Sequence, residues 1–140
     1  MTKEQKPWII LMTHGEFGAE MKKSAEMIAG PLEYVFCLSL KEGMEPMELS
    51  DELNNLLENA PDNTIILTDL FGGTPSNTSA MVAAKKSYTV IAGLNLPMLI
   101  EAEMKRGTIK ASDLAEDLTE TAREGVRNIR KIMKERQGKR

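Results

Sequence analysis

With 140 residues, 41 % of them hydrophobic and 28 % charged, the chain is the size of one domain with a substantial core, which excludes disorder and fibrous repeats. A net charge of −3 excludes an overall basic field for nucleic acid, and the single cysteine, Cys37, excludes disulfide scaffolds and zinc ribbons. No run approaches the roughly 20 apolar residues of a membrane helix, and Met1 to Pro7 holds no apolar core of a signal peptide, so residues 1–140 are expected to form one cytoplasmic domain.

Trp8 to Thr13 is a short apolar run between a proline and a glycine, the pattern of a strand buried on both faces. Phe17 to Ile28 places Phe17, Met21, Ala25 and Ile28 at helical spacing, and Gly30-Pro31 ends that helix. Tyr34 to Ser39 reads as a second strand, and Pro46 to Leu57 as a helix with Met47, Leu53, Leu56 and Leu57 inward. Thr64 to Thr68 is a third strand, followed by the turn Asp69 to Gly73 and a helix of small residues to about Lys86, with Thr74 as N-cap and Pro75 at the first helical position. Tyr88 to Ala92 is a fourth strand, and Pro97 opens a helix through Met104. A final helix starts near Ser112 and is expected to run beyond Gly125. From Arg123 to Arg140 eight Lys/Arg face two Glu, so this tail is +6 and the first 122 residues carry −9. Such a tail suits an anionic partner or membrane surface, but cations equally suit the last turns of a helix. The ten methionines, Cys37 and Trp8 read as core packing.

Strands alternating with helices over short loops predict a three-layer α/β/α sandwich with a central, mainly parallel sheet; the order 2-1-3-4 is an expectation that alternation alone does not fix. Ligands of such sheets bind beyond the carboxyl ends of the strands, which selects Thr13, His14, Gly15 and Glu16 after the first strand, Lys41 and Glu42 after the second, Asp69 and the Gly72-Gly73-Thr74 turn after the third, and Gly93 and Asn95 after the fourth. If the first and third strands are neighbours, His14 and Asp69 meet. A carboxylate holding one ring N–H fixes the tautomer and leaves the other nitrogen as a directed lone pair, which a nucleophile requires. A Gly-Gly turn entering a helix presents backbone amides and a positive dipole end to a phosphate, and the Thr74 hydroxyl adds a donor. Together these predict a histidine that accepts a phosphoryl group while helix-end amides take the phosphate oxygens, with no metal, nucleotide or other cofactor. A receiver domain needs an acidic pair after the first strand, where Thr13-His14 stands; a nucleotide kinase needs a lysine in a loop that reads Gly15-Glu16-Phe17; a serine hydrolase needs a GxSxG elbow.

Five collinear segments, Ile10 to Gly15, Ser24 to Met27, Leu67 to Asn77, Ile91 to Glu101 and Arg123 to Val126, closely resemble the IIA component of the mannose family of the bacterial sugar phosphotransferase system. The resemblance implies a cytoplasmic phosphocarrier that takes a phosphoryl group from HPr on Nε2 of His14 and passes it to a IIB component, and so to the membrane subunits IIC and IID. It implies Asp69 as the histidine's partner, Gly72, Gly73 and Thr74 as phosphate contacts, and a homodimer exchanging an antiparallel C-terminal edge strand. In the region of that strand Val126, Ile129, Ile132 and Met133 follow helical rather than alternating spacing, which leaves both an exchanged strand and a helix open there. The chain carries no Ala/Pro-rich linker or IIB domain, so IIB is expected as a separate polypeptide. The alternatives are a phosphorylation-switched regulatory module, and the phosphocarrier subunit of a dihydroxyacetone kinase.

Overall fold

A computed structural model of the chain describes residues 6–138. In chain order the elements are β1 (Ile9–His14), α1 (Phe17–Ala29), β2 (Val35–Leu40), α2 (Pro46–Leu57), β3 (Ile65–Thr68), α3 (Thr74–Lys86), β4 (Thr89–Ala92), α4 (Leu96–Lys105), α5 (Ala111–Glu124) and α6 (Ile129–Gly138). Among the described residues the sheet has four strands in the expected order β2-β1-β3-β4, and every pair is parallel, as the alternation of strands and helices predicted.

Period-two alternation distributes the strand residues between two cores. Ile9 and Leu11 of β1 and Ile65 and Leu67 of β3 face Ala25 of α1, Met98, Leu99 and Ala102 of α4, and Leu114 and Leu118 of α5. Ile10, Met12 and Ile66 face Leu49, Leu53 and Leu57 of α2 and Val82 of α3. Every residue of β1 except His14 is buried. At about 1.5–3 kcal/mol for each large apolar side chain, burial on both faces holds the strand, and His14 emerges where its burial ends.

At the amino ends of the strands Arg106 is 5 % exposed and donates to the carbonyls of Pro7, Glu33 and Tyr34, with Glu103 as its counter-ion. Burial pushes the guanidinium below its ordinary range, and the Glu103 carboxylate opposes that shift. No periodicity announces this arginine, because its acceptors lie on three segments far apart in the chain.

Several expectations are corrected. Met27, Met47, Met81, Met104 and Met133 are exposed, and of the described methionines only Met12 and Met98 are fully buried, so methionine here is mostly a surface residue. Phe17 and Ile28 point outward from α1, which buries Gly18 and Ala25, and α2 buries Leu49 where Met47 was expected. The packing expected of Cys37 holds, since it is partly buried against the core of Ile9 and Leu11, and Trp8 is partly buried with its ring 4.7 Å from that of Phe36. The last long helix does not pass Gly125: a Cβ there would lie 2.8 Å from Pro97 Cγ, and the chain breaks at that close approach before α6 begins. The segment expected from the resemblance as an exchanged edge strand contains α6, whose apolar residues repeat at helical spacing. Lys139 and Arg140 of the basic tail lie outside the described residues.

Candidate functional site

Parallel pairing of β1 with β3 aligns Met12 with Thr68, so the next residues of each strand, leading to His14 and Asp69, emerge side by side at the carboxyl edge. The carboxylate of Asp69 is tied at both oxygens. Oδ2 accepts the His14 backbone N–H at 2.8 Å and the His14 Nδ1 at 2.9 Å, while Oδ1 accepts the Leu70 N–H at 2.9 Å. Burial pushes this carboxyl up, but the hydrogen bonds from the His14 amide and ring and from Leu70 outweigh it and hold the group below its ordinary value. An ionised carboxylate only accepts, so Nδ1 carries the proton and the lone pair of the neutral ring lies on Nε2. The Asp69 side chain is 12 % exposed and that of His14 49 %, so the anchor is sheltered and the ring is open to an incoming molecule.

The turn from Asp69 to α3 forms the other wall. Gly72 sits at φ +87°, a left-handed conformation that suits glycine, and the Gly73 N–H closes the turn on the Leu70 carbonyl at 3.0 Å. A Cβ on Gly73 would come within 3.0 Å of His14 Cε1, so the absence of a side chain lets the turn lie against the ring. The helix cap is Gly73 rather than Thr74: its backbone is extended and its carbonyl accepts the Asn77 N–H, which places Thr74 and Pro75 inside the first turn. With the Gly73 amide already bonded and Pro75 lacking one, the amides that helix geometry leaves without an intrahelical acceptor are those of Thr74 and Ser76.

Other rim residues serve the fold. The Thr13 hydroxyl accepts the Gly18 N–H at 2.8 Å, and Asn95 caps α4 through Met98 N–H while donating to the Ala122 carbonyl. Sequence reasoning missed Thr68 and Ser76, whose hydroxyls meet at 2.6 Å under the turn, with Ser76 also bonded to the Leu70 carbonyl. The only signal for them was a run of small polar residues, common to many helix starts. Around the opening Phe17, Leu70 and Phe71 are exposed, Phe71 by 87 %.

The fold and this edge define an α/β domain that offers a carboxylate-anchored imidazole beside a helix start. The family profile for the PTS system fructose IIA component matches residues 8–122. A sorbose-specific EIIA component from Lacticaseibacillus casei is 37 % identical over 114 residues, which are 79 % of this chain and 81 % of that protein. The mannose-specific EIIAB component of Escherichia coli K12 is 35 % identical over 87 % of this chain, which spans only 39 % of the length of that relative. A solved EIIA structure from Streptococcus agalactiae superimposes with a TM-score of 0.83 at 31 % identity, covering 89 % of this chain and 98 % of that one. The chain therefore belongs to the mannose-type IIA family of the sugar phosphotransferase system.

Proposed function

We propose that the chain is a cytoplasmic phosphocarrier of the phosphoenolpyruvate-dependent sugar phosphotransferase system, with His14 as the residue that carries the phosphoryl group. In this reading Nε2 attacks the phosphorus of the phosphohistidine of HPr. The new P–N bond forms as the bond to HPr breaks, and the HPr imidazole keeps that electron pair. The second transfer repeats the exchange: a histidine of IIB attacks, and His14 leaves with its pair. The Nδ1 proton stays on His14 throughout, held by Asp69.

The observation that carries this reading is that Asp69 Oδ2 holds both the backbone amide and Nδ1 of His14, at 2.8 and 2.9 Å, which directs the lone pair of Nε2 away from the carboxylate. Phosphoryl transfer passes through a loose transition state with charge on the equatorial oxygens, so aligned donors supply much of the catalysis. The amides of Thr74 and Gly72, the Thr74 hydroxyl and the positive end of α3 fill that role. Gly73 contributes close approach to the ring, since its amide is spent on Leu70. No metal or nucleotide enters this mechanism.

The exposed Phe17, Leu70 and Phe71 give HPr and IIB an apolar rim to dock on. The reading includes a homodimer, supported by the open edge of β4, which pairs only with β3 among the described residues. Contact with the membrane subunits IIC and IID runs through IIB; no helix among the described residues is long and apolar enough to cross a membrane. The test is a relay of purified proteins. Label from phosphoenolpyruvate should reach this chain only with enzyme I and HPr present, and should chase onto a cognate IIB. Label retained on the chain in the presence of IIB would refute the carrier role.

A further inference from the structure

We propose that Ser76, backed by Thr68, is a positioning residue for transfer at His14, setting where the turn and helix-end amides lie relative to the imidazole. The inference rests on the functional reading above. Thr68 is fully buried and Ser76 is 7 % exposed. The Ser76 hydroxyl donates its one proton to the Leu70 carbonyl at 2.6 Å, so the 2.6 Å contact with Thr68 Oγ1 has Thr68 as donor and Ser76 as acceptor. The same Leu70 carbonyl accepts the Gly73 N–H at 3.0 Å. One oxygen thus closes the turn and ties it to the first turn of α3.

Both walls of the ring depend on that turn. At one end Asp69 grips Nδ1, and at the other Gly73 lies so close that a Cβ would reach within 3.0 Å of Cε1. A serine in the first turn of a helix commonly bonds to local helix backbone. Here it reaches out of the helix to Leu70, six residues earlier, and a buried threonine on β3 fixes its direction. Removing the relay frees the turn to shift against the ring, and a displacement of order 1 Å in a reacting geometry costs up to about a hundredfold in rate.

The test is single-turnover phosphorylation by phospho-HPr of wild type, Ser76→Ala, Ser76→Thr and the double variant Thr68→Val/Ser76→Ala. Ser76→Ala strands the Thr68 hydroxyl in the core, whereas the double variant leaves neither hydroxyl unpaired and should regain stability. The relay predicts that Ser76→Ala and the double variant both transfer about ten- to a hundredfold more slowly at saturating donor, with the KM for phospho-HPr unchanged. Ser76→Thr keeps the hydroxyl and should restore the rate to within about threefold. A double variant that unfolds at the wild-type midpoint and transfers at the wild-type rate would overturn the inference, as would Ser76→Thr as slow as Ser76→Ala. If wild type accepts no phosphoryl group, the functional reading fails and this inference with it; if wild type is phosphorylated and the double variant keeps pace, only the relay fails.

Discussion

Replacing Asp69 by Asn keeps the shape of the side chain and removes its charge. In the native protein three donors converge on this carboxylate, two from His14 and one from Leu70. An asparagine that keeps its oxygen toward His14 must turn its NH2 toward the Leu70 N–H, so donor faces donor where a 2.9 Å hydrogen bond stood. With the amide flipped, the NH2 faces Nδ1 and favours the tautomer whose proton sits on Nε2. Either outcome loses charge-assisted bonds, which predicts a stability loss of about 1–3 kcal/mol at neutral pH. Loss of the tautomer control predicts a transfer rate lower by about 10²–10⁴, the upper end being the loss of about 10⁴ that follows when the aspartate orienting a catalytic histidine is replaced by asparagine. The pH dependence has a definite sign. The folded-state carboxyl lies below its ordinary value, so its contribution is complete above the unfolded-state value and disappears as the pH falls through the lower, folded-state value. The stability gap between wild type and Asp69→Asn should therefore be constant near neutrality and close as the pH falls below about 4. Urea unfolding from pH 3 to pH 7, with quenched-flow transfer from phospho-HPr at pH 7, measures both. Equal transfer rates, or a gap that widens in acid, would refute the role assigned to Asp69.

Three further outcomes follow from other contacts. Gly73→Ala puts a methyl within 3.0 Å of His14 Cε1 and should slow phosphorylation about tenfold or more while leaving the circular dichroism spectrum unchanged, which stopped-flow transfer would show. Arg106→Leu removes the side-chain donor from the carbonyls of Pro7 and Glu33, leaves that of Tyr34 with the Ile9 N–H alone, and leaves Glu103 with only Lys6 at 3.9 Å, so chemical denaturation should report a loss of about 3–5 kcal/mol, with phosphorylation per folded molecule unaltered because the arginine sits at the opposite end of the strands. Phe71→Ala, at a side chain 87 % exposed, should change stability by less than about 0.5 kcal/mol yet raise the KM for phospho-HPr severalfold in steady-state transfer assays.

Much of the fold was legible because strands buried on both faces leave a strong signal. Ile10 to Met12 and Ile65 to Leu67 are apolar without interruption, and between predicted helices such runs suit the strands of a parallel sheet covered on both faces. The meeting of His14 with Asp69 was legible for the same reason, since both follow buried strands that the topology makes neighbours. Helix faces were harder to read. Met47 and Ile28 satisfy helical spacing yet are exposed, because periodicity names a stripe without saying how much of it the sheet covers. The cap of α3 fell on Gly73 instead of Thr74 because the preceding turn already supplies an extended residue whose carbonyl starts the helix. The hydroxyl pair of Thr68 and Ser76, and the buried Arg106, depend on contacts between distant segments that no local pattern encodes.

The most direct test is to phosphorylate the ¹⁵N-labelled chain through enzyme I and HPr and identify the modified nitrogen from its long-range nitrogen–proton and nitrogen–phosphorus couplings. Because Asp69 holds Nδ1, the phosphoryl group should appear on Nε2 of His14 alone, labile in acid, stable in base and absent from His14→Ala. A phosphoryl group on Nδ1, or an acid-stable ester on serine, threonine or tyrosine, would contradict the mechanism.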